Sequence, residues 1–227
     1  MPEVHELLHS IRKNKASHRD ISIELFQFSG LERQFTFLLN ALFVHGHIPR
    51  KMLESEIHPL KKDRTKLDTD ANNWRPVALV CAFSKVVEAA LKSRIDFNLC
   101  TSQYAYKSGW GTRNAIKRVL CWLQKNRYEH GRVFAVWLDL SKAFDMLGYS
   151  TIMDSVDADQ ASTRLLSSFL SGCSVTIGNE PHIQCLRGVR QGGLISPNLF
   201  TNVANVFLEH TSKRTRMKQS WDTPMTS

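Results

Sequence analysis

The sequence predicts an α+β fold. Two observations carry that expectation: apolar residues recur at helical spacing along several stretches, and shorter runs of strand length, bounded by turn residues, lie between them. A third is the uninterrupted apolar run VFAVWL at 133–138, the pattern of a strand buried on both faces.

The first helical stripe begins after Ser29, which takes the N-cap position. Leu31, Phe35, Leu38, Leu39 and Leu42 share one face, and Gly46 and Pro49 end the helix. The HGH at 45–47 reads as that helix end rather than as a metal site. In SEIHPLKKDRTKLDTDANNWRPVALV two strand-like pieces flank a polar loop, which predicts a two-strand finger with a basic tip. Phe83, Val86, Val87, Ala90, Leu91 and Ile95 then stripe a second helix.

After the glycine-containing loop AYKSGWGTRN, Thr112 is placed to cap a third helix whose stripe is Ile116, Val119, Leu120 and Leu123. The strand at 133–138 follows and ends at Asp139. A helix covers much of 161–170, and CSVTIGNEPHIQCL reads as a hairpin turning at Gly178 and Asn179. The glycine-rich GVRQGGLISP leads into a last helix, NLFTNVANVFLEH, with Leu199, Val203, Val206 and Phe207 inward. Residues 211–227 are polar, basic and aperiodic, as a frayed tail would be.

Charge narrows the partners. The chain of 227 residues carries 30 Lys and Arg against 21 Asp and Glu, a net charge of +9. Residues 1–130 hold 21 of the basic and 13 of the acidic side chains, so nearly all of the excess lies there. Such a balance favours polyanionic partners, although a solvated basic surface gives the same count. Five cysteines at 81, 100, 121, 173 and 185, with no C-x-x-C spacing, read as reduced intracellular thiols. The first residues lack the apolar core of a signal peptide, and no run approaches the ~20 residues that span a bilayer. A nuclear or cytoplasmic protein is expected.

Asp139, just past the apolar run, has two readings. Polymerases that transfer phosphoryl groups hold two divalent cations about 3.5–4 Å apart, and such ions need hard oxygen ligands on rigid backbone. A turn or N-cap aspartate fits the position equally. Asp145 is expected to cap a helix or pair with a base, and Phe144 to enter the core. The loop RGVRQGGLISP offers backbone amides with little side-chain obstruction. Arg75 in NNWRPV and Lys61 and Lys62 in PLKKD suit phosphates, or stand as solvated surface charges.

Taken in order, IHPLKKD, NNWRPVALVCAFSKVVEAALKSRI, SQYAYKSGWGTRNAI, FAVWLDLSKAFDML and RGVRQGGLISPNLF make five blocks. Their succession resembles the reverse transcriptase domain of non-LTR, LINE-type retrotransposons. The resemblance runs from about SIRKNKASHRDIS to NLFTNVANVFLEH. It implies a partial right-hand polymerase: fingers over 1–130, an incomplete palm over 131–210, no thumb, and a disordered tail over 211–227.

The resemblance also implies roles. Lys62, or Lys61, and Arg75 would approach the triphosphate. Asp139 would be the first catalytic, metal-binding carboxylate, with the carbonyl of Leu140 facing the same ion. Phe144 would lie beneath the sugar and exclude a 2′-hydroxyl by bulk, and Gln191 and Gly192 would lie near nucleotide and template. The implied cofactor is Mg²⁺ or Mn²⁺, and the implied partners are an RNA template, a DNA primer and deoxynucleoside triphosphates.

Departures stand beside the matches. Arg190 replaces the proline usual before the glutamine and Gly193 the small hydroxyl residue after the glycine, which predicts a looser loop. Ser17 and His18 occupy the region of an expected glycine. The family's aromatic-Ala-Asp-Asp hairpin has no counterpart, since the sequence contains no Asp-Asp pair and only Glu209 and Asp222 as acids after Gly193. Asp157 and Asp159 read as surface residues. The expectation is a reverse transcriptase fragment that is inactive alone; the alternative is a non-catalytic nucleic-acid-binding protein derived from a retroelement. An incomplete palm also predicts exposed strand edges and core surface.

Overall fold

The structure is a computed structural model and describes residues 2–17, 21–28 and 30–214. Helix α1 (Pro2–Ser10) and helix α2 (Ile23–Phe28) form where the sequence reading assigns no element. They are tied by the buried Gln27, whose Nε2 donates to Leu8 O at 2.8 Å and Ile11 O at 3.0 Å, taking up carbonyls at the end of α1. Helix α3 (Glu32–His45) buries Phe35, Leu39, Leu42 and Phe43, three and four residues apart as predicted. Leu31 is its N-cap and makes no side-chain bond; Ser29 lies outside the described residues. Gly46 ends it in left-handed backbone (φ 64°), its N–H donated to Leu42 O.

The expected finger is present. Strands β1 (Glu54–Lys61) and β2 (Trp74–Val80) pair antiparallel, with Ser55 opposite Val80 and Lys61 opposite Trp74. Asn73 braces the tip: its Nδ2 donates to Asp63 O and its Oδ1 accepts from Asp63 N. Asp63 also accepts from the amide and hydroxyl of Thr65, and these bonds hold its carboxyl below the usual range.

Helix α4 (Ala82–Arg94) follows, burying Val86, Val87, Ala90 and Leu91. Beyond it come α5 (Thr112–His130), α6 (Tyr149–Ser155) and α7 (Gln160–Gly172). The short strands β3 (Ser174–Thr176) and β4 (Ile183–Gln184) form the expected hairpin, with Gly178 at φ 57° in its loop. Helix α8 (Ser196–Arg214) is last, carrying helix four residues into the stretch expected as tail; 215–227 lie outside the described residues.

One mixed sheet, ordered β2-β1-β3-β4, joins the finger to the later hairpin through a parallel β1–β3 pair. Core residues come from both sides of residue 130, including Leu39, Leu53, Val86, Leu165, Phe169 and Leu199. The parts expected as fingers and palm therefore share one sheet and one core. No described helix is long and apolar enough to cross a membrane.

Four expectations are corrected. Residues 133–138 belong to no strand, and Phe134 and Trp137 are 89% and 77% exposed, because a strand buried on both faces needs flanking strands and covering layers that no described segment supplies. Helix α5 begins one residue earlier than a Thr112 cap requires, with Gly111 at the N-cap, and its Ile116 and Leu120 are exposed for the same want of a partner. On α8 Leu199 is buried, but Val206 and Phe207 face outward; the inward side continues through Thr201, Asn202 and Asn205. Asn202 Nδ2 donates to Ser155 O and Asn205 Nδ2 to Asn98 O, so polar residues there are satisfied without solvent. Asp145 lies in a turn and neither caps a helix nor meets a base.

Candidate nucleic-acid interface

The glycine-rich loop after Gly188 crosses the end of the finger. Ala78 of β2 donates its N–H to Gln191 O at 2.6 Å, which presses the loop onto the strand. The contact explains Gly192: its φ is 121°, and a Cβ there would stand 2.4 Å from Ala78 O. Gln191 then turns its amide to Asp145, donating at 3.0 and 3.2 Å to the two carboxylate oxygens.

The loop expected to be looser is anchored. Arg190 and Glu88 form an ion pair at 2.8 Å, with their side chains 5% and 0% exposed. Arg190 also donates to Leu53 O and Ser84 Oγ and lies over the ring of Phe169. Glu88 accepts in addition from the amides of Leu194 and Ile195, so it grips both ends of the turn that presents Gln191 and Gly192. Behind this turn, burial pushes the Cys173 thiol up to about 11.

A cleft of about 510 Å³ opens over the loop and brings together four of the sequence-predicted residues: Arg75, Phe144, Gln191 and Gly192. Tyr106 and Lys142 complete its rim. Phe144 is half-buried, stacked on Phe200 with centroids 5.0 Å apart and met edge-on by Tyr106 at 6.4 Å. Its ring is thereby fixed as one wall.

Four predicted residues lie elsewhere. Lys61 pairs with Asp68 at 2.5 Å and Lys62 Nζ donates to Asn72 O at 2.9 Å, both within the fingertip. Asp139 and Leu140 sit on the exposed, irregular segment and do not line the cleft. Among the described residues no group of three or more His, Cys, Asp or Glu side chains is placed to hold a metal ion. A lone carboxylate on solvent-exposed backbone does not meet the demand of a two-cation centre for several fixed oxygens, so Mg²⁺ or Mn²⁺ does not fit the residues present.

Sequence reasoning missed Glu88, Tyr106 and Lys142. For Glu88 a signal existed: it precedes Leu91 by three residues and Ile95 by seven, on the core side of α4, where an acid requires a buried base. Arg190, already conspicuous as a departure, is that base.

The chain is thus a mixed α+β domain in which Arg75, Lys142, Tyr106 and Phe144 wall a cleft lined below by Gly192 and Gly193. Residues 60–222 match the family described as reverse transcriptase (RNA-dependent DNA polymerase), and the chain belongs to that family. It is 26% identical over 175 residues to a Pol polyprotein of the R2 retrotransposable element of Popillia japonica, covering 73% of this chain and 24% of that one. An R2 counterpart from Nasonia vitripennis is 24% identical over 187 residues, covering 78% and 18%. The RNA-directed DNA polymerase of the mobile element jockey from Drosophila funebris is 24% identical over 222 residues, covering 88% and 24%. The chain thus spans a quarter or less of the length of these relatives.

Proposed function

We propose that this chain forms the fingers and the first part of the palm of a non-LTR retrotransposon reverse transcriptase, a partial right hand. The boundary near residue 130 is one of role, and the shared sheet holds the two parts together. The carrying observation is the cleft that gathers Arg75, Phe144, Gln191 and Gly192. Arg75 offers a planar two-pronged donor to the phosphates of a deoxynucleoside triphosphate. Phe144, backed by Phe200, supplies the rigid bulk that excludes a 2′-hydroxyl, and Gln191, held by Asp145, stands beside the template base.

The reading includes a limit: these 227 residues do not polymerise unaided. Asp139 has no second carboxylate motif in the sequence, and its backbone is not fixed by a sheet. The reaction belongs to a protein that supplies further carboxylates and acts on an RNA template and a DNA primer, in the nucleus or cytoplasm. Primer extension on an RNA template with Mg²⁺ or Mn²⁺ tests this. No incorporation is expected; incorporation abolished by Asp139→Asn would overturn the limit.

The second reading, a retroelement-derived protein that binds nucleic acid without catalysis, is favoured by the same cation-walled cleft. It predicts strand binding indifferent to Asp139→Asn.

A further inference from the structure

The β3–β4 hairpin carries a cysteine at each open end. Ser174 pairs with Gln184 and Val175 with Ile183, so the next pair outward sets Cys173 directly opposite Cys185. The Cys185 N–H donates to Cys173 O at 3.0 Å and continues the ladder to that pair. In a hydrogen-bonded antiparallel pair the Cα atoms stand about 5.5 Å apart, inside the range of roughly 4.4–6.8 Å that a disulfide spans. Residues directly opposite one another project from the same face of a sheet. Both cysteines accordingly line one cavity of about 130 Å³, with Ile57 of β1, Phe169 of α7 and Tyr149 of α6.

The two thiols are held differently. Cys173 is the C-cap of α7, only 4% exposed, and its Sγ donates to Phe169 O at 3.0 Å. Cys185 is half-buried and follows β4, which stands at the end of the sheet. A disulfide needs the Cβ atoms of such a pair about 1 Å closer than the ladder sets them. An edge strand of two residues yields that much without disturbing a second ladder.

We propose that Cys173 and Cys185 are an oxidation site for peroxides, closing to a disulfide across the hairpin. The Cys185 sulfur, as thiolate, attacks one oxygen of hydrogen peroxide; the O–O bond breaks, and Cys185 sulfenic acid and water result. The Cys173 sulfur then attacks the Cys185 sulfur, the S–O bond breaks, and a second water carries away the Cys173 proton. Two thiols give up two electrons, and one peroxide is reduced to two waters. Burial raises both thiols, Cys173 to about 11, so the step is slow and calls for peroxide in excess.

The link fastens the segment that leads to the glycine-rich loop. Cys185 O accepts from the Tyr149 hydroxyl at 3.0 Å, and Gly188 and Val189 donate to Leu147 O and Phe144 O at 2.7 and 2.9 Å. Oxidation ties the start of that segment to the end of α7. The inference stands apart from the reading of the cleft, which uses neither thiol, and its test reads no polymerase activity.

The reduced chain is treated with hydrogen peroxide, denatured, capped with iodoacetamide and digested with trypsin. Both cysteines fall in the one tryptic peptide 165–187, since no Lys or Arg lies between Arg164 and Arg187. That peptide is expected uncapped and lighter by two hydrogens, with dithiothreitol restoring capping, while Cys81, Cys100 and Cys121 stay capped. The oxidised chain should melt about 5 °C higher than the reduced one, and Cys185→Ser should abolish the rise. Because Cys173 is buried, Cys185→Ser is the deciding variant wherever Cys173→Ser fails to fold. A link that steadies the fold is steadied by it, so opening it should take about tenfold more reduced glutathione in the folded chain than in urea. Capping of both thiols after peroxide, sulfinic acid at Cys185, a link to another cysteine, or equal glutathione demand in urea would each overturn the proposal.

Discussion

Glu88 and Arg190 show how one unexpected residue is made tolerable by another. Arg190 enters the core where the resemblance leads one to expect proline, and Glu88 is the acid that receives it at 2.8 Å. A buried ion pair adds little net stability over apolar residues of similar shape, but removing one partner strands the other's charge in a medium that cannot solvate it. Glu88→Leu is therefore expected to lower the unfolding free energy by about 3–5 kcal/mol in urea denaturation, and adding Arg190→Leu to recover most of the loss. A single variant that costs under about 1 kcal/mol would show that the pair does not hold the loop. Gly192 is legible as a flexible position, but its reason lies in Ala78, distant in the sequence, which only the fold brings to 2.4 Å of a would-be Cβ.

Among the elements, local sequence signals carry through to structure. Helices α3, α4 and α7 follow their apolar spacing, and the two hairpins follow their turn residues, because those signals lie within a few residues of the structure they specify. Helix α7 also carries a cap that its surface placement did not reveal. Asp159 Oδ1 accepts from the amides of Ala161 and Ser162, and Oδ2 from the Ser162 hydroxyl. Those Ser162 bonds hold the Asp159 carboxyl below its usual range. Since α7 buries Leu165, Leu166, Phe169 and Leu170, fraying at its start reaches the core. Asp159→Ala is expected to cost about 1 kcal/mol at neutral pH. With the native pKa depressed, the stabilisation is complete above the unfolded carboxylate value near 4 and is lost as pH falls through the native one. Thermal melts of the two proteins should thus be separated at pH 7 and converge in acid; a constant separation would argue against the charged cap.

The whole molecule explains the part of the sequence that was read wrongly. The run at 133–138 has the composition of a buried strand, yet a strand forms only where neighbours accept its hydrogen bonds, and the four-stranded sheet here is completed by other segments. Ile116 and Leu120 on α5 are exposed, and so are Phe134, Val136, Trp137, Leu138 and Leu140. The expectation that an incomplete palm exposes core surface rests on this same shortage of partners. A six-residue stretch without charge, proline or glycine, unpaired along its backbone, is also apt to pair with other chains. The isolated chain is expected to self-associate as its concentration rises, as sedimentation velocity can follow. Val136→Lys with Leu138→Lys should shift it toward monomer and leave the melting temperature within about 2 °C, because these side chains make few contacts to lose and surface changes of this kind stay within about 0.5 kcal/mol. A large fall in melting temperature would mean that the run packs within the single chain after all, and a monomer at every concentration would mean that its exposure does not drive association.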